Sequence, residues 1–345
     1  MGRKRKEKNT MKTINEISTP VSLLYNTVLN EREPIRREND REEGDSTYSV
    51  RPFANDKDVN IRRIQTTAKM TLDDGTPEEM GDQVELTYLD FLLACIVYSL
   101  QREGYVEFTL TDIAHIMNGG ENARACGELK ELIYDRLEIC SHIRIKIDCT
   151  EEFKEKRAKR KGLYGSERWM KEDNCIIDSR FLGIQGIEEK IKGDRVVQKK
   201  YRISDTPAFQ EYSQIVEQMT AVPLEFLHGT HGKKFSRDSL FIRFFVMKAI
   251  RVLNNENNNM YYKKIMLEPY NGRNIVGAFQ KLGYSKEKYP SWNLKRPSLV
   301  KFFEDSLDDL ADLGEISGYD RIKHRRAVVG FDIKVRDKSQ SEKLI

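Results

Sequence analysis

Twice along this chain, helical spacing of apolar residues gives way to strand-like alternation in the same order, and few folds accommodate that order. In the first passage Leu86, Leu89, Leu93, Ile96 and Leu100 recur at steps of three and four, which marks a helix with one buried face. Gly104 stops it, and residues 105–108 are short and strand-like. Thr109, with Asp112 three residues later, reads as the N-cap of a brief helix that ends at Asn118-Gly119-Gly120. Leu129, Ile133 and Leu137 share one side of a third helix. His142-Ile-Arg-Ile-Lys-Ile-Asp148 then alternates strictly, as a half-exposed strand does. Residues 150–173 are charged and irregular, and strand character returns at 175–182 and 195–203.

The second half repeats the plan about 150 residues on. Residues 207–219 read as a connecting helix, and 236–253 as an apolar helix carrying Leu240, Phe241, Phe244, Phe245, Met247 and Ile250. Asn-rich residues 254–259 end it; 260–267 is strand-like, and 274–282 is a short helix closed by Gly283. Pro297 suits a first helical turn, and Leu299, Phe303, Leu307 and Leu310 continue a buried stripe to Gly314. Residues 315–321 and 327–335 make a hairpin around Lys323-His324-Arg325-Arg326. Helix, short strand, two helices and a hairpin is the order of a winged helix. The expected fold is α+β, mostly helical, with two tandem winged-helix domains. Their expected spans are 81–206 and 236–336, joined by a connecting helix and linker over 207–235. A mostly flexible charged arm over 1–80, with short ordered pieces at 21–29 and a strand-like 61–70, precedes them, and a tail over 337–345 follows.

The chain has 345 residues, 39% hydrophobic and 33% charged, enough apolar residues for packed cores. No run of eighteen apolar residues occurs, so no membrane span is expected. The basic start at 2–8 lacks the apolar stretch of a signal peptide, so a cytoplasmic location is expected. Cys95, Cys126, Cys140, Cys149 and Cys175 form no C-x-x-C pair and read as structural, Cys95 as a small buried hydrophobe. Among His115, His142, His228, His231 and His324 no metal-binding spacing occurs. His228 and His231, three apart in LHGTHGKK, read as a glycine-flanked turn. A phosphate-binding loop and a nucleophile elbow are both missing, so no catalysis, cofactor or metal is expected.

Lys plus Arg number 59 against 55 Asp plus Glu, a balance that matters only where the positive charge clusters. Lys154, Lys156, Arg157, Lys159, Arg160 and Lys161 crowd the first loop. Lys192, Arg195, Lys199, Lys200 and Arg202 flank a hairpin turn at Gly193-Asp194, and Arg321, Lys323, Arg325 and Arg326 mark the second wing. Such groups neutralise phosphates and release counterions. Sequence reading would fall to the third helix of each domain. Asn122, Arg124, Lys130 and Arg136 are candidates in the first, with Asn and Arg suited to adenine and guanine edges. In the second, Asn293, Lys295, Arg296, Ser298 and Lys301 occupy the helix entry, where the dipole favours phosphate, and Lys263, Lys264 and Arg273 add contacts. Glu304, Asp305, Asp308, Asp309 and Asp312 make the rest of that helix acidic, so only its first turns suit a duplex.

LTYLDFLLACIVYSLQREG, FTLTDIAHIMNGG and ELKELIYDRLEICSHIRIKID, with SRDSLFIRFFVMKAIRVLNN and PSLVKFFEDSLDDLADLGEIS in the second half, resemble the replication initiator proteins of bacterial plasmids and related mobile elements. The resemblance spans residues 85–335 and rests on the order and character of elements, not on an invariant motif. It implies tandem winged helices that bind repeated origin sequences in double-stranded DNA and open an adjacent AT-rich region. It also implies recruitment of host replication proteins and a homodimer that represses its own gene. The long charged arm, the basic loop at 150–173 and the acidic second recognition helix depart from that pattern. A transcriptional regulator without an origin function, and a protein-interaction scaffold suited to the acidic helix, remain alternative uses of the same fold.

Overall fold

The computed structural model describes residues 12–31, 33–36, 46–50, 66–73, 76, 83–118, 127–159, 174–193, 195–228, 236–253, 264–269 and 277–335. The architecture is α+β. Within residues 1–80, expected as a mostly flexible arm with short ordered pieces at 21–29 and 61–70, the structure describes 12–31, 33–36, 46–50, 66–73 and 76. β1 (Glu16–Pro20) pairs antiparallel with residues 219–223, α1 (Leu23–Glu31) follows it, and β2 (Ile35–Arg36) pairs with β5 (Gln83–Val84). β3 (Ser46–Val50) pairs with β4 (Thr66–Leu72). Ile17, Leu24, Tyr25, Val28, Ile35, Tyr48, Ala68 and Met70 are buried in the common core. Their apolar islands are short and set in charged surroundings.

α2 (Tyr88–Arg102) is the central helix. Its sequence, YLDFLLACIVYSLQR, is apolar on nearly every side, and every residue from Tyr88 to Leu100 is buried. A capping box starts it: the Thr87 N–H and Oγ1 donate to Asp90 Oδ2 at 2.5 and 2.9 Å. β6 (Glu107–Thr109), α3 (Leu110–Asn118) and α4 (Gly127–Ser141) follow in the expected order. The next strand, β7 (Ile143–Asp148), was expected in the first wing. It lies instead in a four-stranded antiparallel sheet of order β3-β4-β7-β8, with β8 (Ile176–Arg180) at its edge. Strict alternation fixes which face of a strand is buried but not its partner, and β3 and β4 come from the segment read as an arm. Between β7 and β8 the segment read as irregular begins with a helix, α5 (Thr150–Lys159).

The first hairpin is β9 (Ile184–Lys192) with β10 (Arg195–Ile203), and β6 pairs on the far side of β10, giving the sheet order β6-β10-β9. The expected connecting helix is shorter: α6 (Ala208–Ile215) ends before β11 (Met219–Pro223), the partner of β1, and α7 (Leu224–His228). In the second half α8 (Arg237–Leu253), β12 (Lys264–Met266), α9 (Ala278–Lys281), α10 (Trp292–Asp312) and the hairpin β13 (Ile316–His324) with β14 (Ala327–Val335) build a sheet of order β12-β14-β13. The strand after the first helix pairs in both halves with the returning strand of the hairpin. Pro297 lies inside α10, not in its first turn, because the helix starts earlier, at Trp292.

The halves share one core. Tyr88 of α2 packs edge-on against Phe241 and Phe244 of α8, with ring centroids 5.9 and 6.1 Å apart, and Tyr25 meets Phe91 at 5.4 Å. Such pairs contribute roughly 0.5–1.5 kcal/mol each beyond area burial.

Candidate nucleic-acid interface

The expected basic residues separate into internal struts and free surface groups. Lys199 is a strut. Its Nζ donates to Glu138 Oε2 at 2.7 Å, lies 3.5 Å from Glu189 Oε1, and sits 5.2 Å from the Tyr134 ring, with its side chain only 14% exposed. Glycine at 186 makes room for it, since a Cβ there would stand 2.7 Å from Lys199 Cε. Burial, then the nearby Glu138 and Glu189, push the Tyr134 hydroxyl up to about 12. Lys200 pairs with Glu107, which also meets Arg202 at 3.3 Å, and the Lys200 hydrogen bond is what most lowers the Glu107 carboxyl. Lys130 Nζ donates to Thr111 Oγ1 at 2.9 Å, and that hydroxyl donates to Gln198 Oε1 at 3.0 Å, tying α4 to α3 and β10.

Two more candidates hold the second half together. Lys295 pairs with Asp238 and faces the rings of Tyr284 and Tyr289. Arg296 donates to Glu268 Oε1 at 2.8 Å and to the Val328 carbonyl at 2.7 Å. Arg136 grips Asp90 through Nε at 2.7 Å and Nη2 at 2.6 Å. A cation held against a carboxylate offers a phosphate little, because its charge is already matched. Lys130, Lys199, Lys200, Lys295 and Arg296, expected as phosphate or base contacts, thus each engage a partner within the chain. Sequence clustering reveals charge but not which way each side chain points.

Among the described residues, one set of exposed basic and polar groups gathers in the second half. Lys323, Arg325 and Arg326 at the β13–β14 tip are exposed, and none is held by a carboxylate among the described residues. Arg325 has a left-handed backbone, φ 55°, which a non-glycine residue adopts at a cost. Asn293, Leu294, Pro297, Ser298 and Lys301 form an exposed stripe over the first half of α10, with no acid among them. Lys301 meets Asp305 at 3.3 Å but stays open to solvent, and Lys264, itself half exposed, lies 3.7 Å from Asp332. Leu294, missed in the sequence, is 80% exposed. Its signal was there: it lies off the register of the buried stripe Leu299, Phe303, Leu307 and Leu310.

The acidic half of α10 is turned to internal use. Glu304 Oε1 takes Arg321 Nε at 2.6 Å, Asp308 Oδ1 accepts from the Tyr319 hydroxyl at 2.8 Å, and Asp309 pairs with Arg243 at 2.5 Å. The first half differs. On α4 the exposed residues include Glu128 and Asp135, the wrong sign for a backbone contact. β9 is exposed from Gln185 to Lys192, with Lys190 and Lys192 beside the apolar Ile187 and Ile191. Asn122, Arg124, Arg160, Lys161, Lys263 and Arg273 lie outside the described residues, as do the side chains of Lys156, Arg157 and Lys159.

His228, one of the histidines in the glycine-flanked turn, has its Nε2 2.8 Å from the Ile116 carbonyl, and burial lowers its pKa. Among the described residues no group of three or more His, Cys, Asp and Glu is placed to hold a metal ion. No described helix is long and apolar enough to cross a membrane.

No known family profile matches this chain. No curated protein matches it. Among solved structures, selenomethionine derivatives of domain 2 and domain 3 of RctB are similar at 14% identity and a TM-score of 0.40, over 90% of this chain and 97% of that one. A second structure of RctB domains 2–3 aligns at 11% identity and a TM-score of 0.38, over 92% of this chain and 100% of that one. Similarity of that degree assigns neither family nor activity.

Proposed function

We propose that this chain is a non-enzymatic, sequence-specific double-stranded DNA-binding protein, the replication initiator of a plasmid or related mobile element, and that its two helix-and-hairpin modules are winged helices. One arrangement carries the reading: the acid-free, exposed first half of α10 stands in the same module as a hairpin tip bearing Lys323, Arg325 and Arg326. A helix that enters a major groove presents its first turns to base edges while a neighbouring hairpin meets the backbone. The matching sheet orders of the two modules support a duplicated DNA-binding unit. The initiator role rests on the resemblance in residues 85–335.

The labour divides unevenly in this reading. The second module reads sequence through α10. The first, with Glu128 and Asp135 on α4, adds backbone contacts through the β9–β10 turn rather than base contacts through its third helix. The test is a gel shift on DNA flanking the gene, with random competitor. Preferential retardation of one flanking segment is expected, and equal affinity for both DNAs removes the specific-binding reading. Persistence of an origin-less circle carrying the gene and its flanks separates an initiator from a regulator: loss of the circle, despite specific binding, removes the initiator role.

A further inference from the structure

We infer that Cys149 and Cys175 are a redox pair that closes into a reversible disulfide across the neck of the basic segment between β7 and β8. β7 and β8 pair antiparallel with Asp148 opposite Ile176 and Ile147 opposite Ile177, so the next opposed positions are Cys149 and Cys175. The Cys149 N–H donates to the Cys175 carbonyl at 3.0 Å, which continues the ladder by one pair. Directly opposed residues in such a ladder have Cα atoms about 4.5–5.5 Å apart, within the span a disulfide bridges. The side chains agree with the backbone. The two sulfurs are 3.2 Å apart, and the Cys149 thiol also donates to the Cys175 carbonyl at 3.3 Å. Closure needs a shift of roughly 1 Å between sulfurs that already face each other.

The pair is asymmetric, and that sets the order of events. Cys149 is 0% exposed, and its hydrogen bond to Cys175, with burial, holds its thiol protonated; Cys175 is 9% exposed. Cys175 therefore meets an oxidant first. With a low-molecular-weight disulfide such as oxidised glutathione, the Cys175 thiol loses its proton and its sulfur attacks, forming a mixed disulfide and releasing one glutathione thiolate. Cys149 then loses its proton and attacks Cys175 Sγ, releasing the second. Two protein thiols become one disulfide, and the oxidant is reduced to two glutathiones. The neighbouring sulfur makes the second step intramolecular. Cys95 and Cys140 are buried elsewhere, Cys95 among Thr19, Tyr25 and Gln210.

The bridge would tie residues 149 and 175 together and leave the segment between them, with Lys154, Lys156, Arg157, Lys159, Arg160 and Lys161, as a closed loop. This inference stands apart from the DNA-binding reading, since its readout is the bond itself. The native full-length protein is incubated with oxidised glutathione, quenched in acid, and analysed by intact mass and non-reducing peptide mapping. The expected product has lost two hydrogens, carries a Cys149–Cys175 linkage, and returns to the dithiol on reduction. Cys149→Ser is expected to stop at a glutathione adduct on Cys175, and Cys175→Ser to give no adduct at Cys149. The wild-type protein decides without either variant. A stable glutathione adduct without the linkage, a bridge to Cys126, Cys95 or Cys140, or a full complement of thiols after exposure overturns the inference.

Discussion

Arg243 of α8 and Asp309 of α10 form an ion pair at 2.5 Å in which each side chain is only 8% exposed. Arg243 also donates to the Phe226 carbonyl at 2.9 Å and stacks its guanidinium on the Phe226 ring at 5.3 Å, so one side chain joins α7, α8 and α10. The pair explains why an acidic stretch sits on the helix proposed to approach DNA: Asp309 faces inward. Breaking a buried pair leaves a charge without its counterpart, which costs about 3–5 kcal/mol, whereas replacing both partners with apolar residues is often nearly neutral. Asp309→Asn is therefore expected to lower unfolding free energy by about that amount, and Arg243→Met with Asp309→Leu to recover most of it. Denaturant unfolding checks this; a loss under about 1 kcal/mol for the single variant would show the pair to be exposed in solution.

The contrast between Lys199 and the β13–β14 tip gives a test in which two lysine- or arginine-to-alanine changes have opposite signatures. Lys199 is spent on Glu138 and Glu189. Lys199→Ala should lower stability by roughly 1–3 kcal/mol by leaving Glu138 half-buried without its cation, and leave the salt slope of DNA binding unchanged. Arg325→Ala with Arg326→Ala should do the reverse: stability close to wild type, weaker binding to all sequences, and a slope of log affinity against log salt shallower by about 2. Arg325→Gly separates conformation from charge. It relieves the left-handed backbone at φ 55°, so it should hold or raise the melting temperature while still weakening binding. Titrations at several salt concentrations decide.

Leu294 carries the prediction on specificity. At 80% exposure it packs on little, so Leu294→Ala should change stability by no more than about 0.5 kcal/mol. It leads the exposed stripe through Pro297, Ser298 and Lys301, where an apolar side chain would meet a thymine methyl in a major groove. The expected result is a loss of roughly 1 kcal/mol in discrimination between the preferred site and variants of it, with little change on random DNA. Unaltered ranking of variant sites would take Leu294 off the reading face.

The order of helices and hairpins was legible because period and caps are local. Thr109 with Asp112 forms the hydrogen bonds that their spacing announces. The pairing of β7 was not legible. Ile143, Ile145 and Ile147 reveal a buried face, but only the register against Leu72, Met70 and Ala68 reveals the partner, and that lies some seventy residues away. The basic candidates fared similarly. At the β13–β14 tip Lys323, Arg325 and Arg326 are exposed, whereas on β10 Lys199 and Lys200 meet Glu138 and Glu107 from α4 and β6. Sequence exposes charge; tertiary pairing decides which charges are free.

Lys248 makes stability depend on pH in a direction that can be worked out. It is 5% exposed, its Nζ lies 4.0 Å from the centre of the Tyr25 ring, and among the described residues no hydrogen-bond acceptor reaches it. Burial brings its pKa down from 10.5 to about 7; Cys95 of α2 opposes that fall and Lys281 of α9 adds to it. Between those values the unfolded chain binds a proton that the folded chain lacks, so unfolding free energy rises with pH across that window. Below about 7 both states are protonated and the folded protein carries the full cost of a buried ammonium, offset in part by the Tyr25 ring face. Lys248→Met keeps the shape and removes the titration. It should stabilise the protein by about 2–5 kcal/mol at pH 6, and the gain should shrink steadily as the pH approaches 10.5. Denaturant midpoints for the two proteins at pH 6, 8 and 10 measure it. A gain that is the same at all three, or that grows with pH, would mean that Lys248 reaches water and keeps its proton in the folded state.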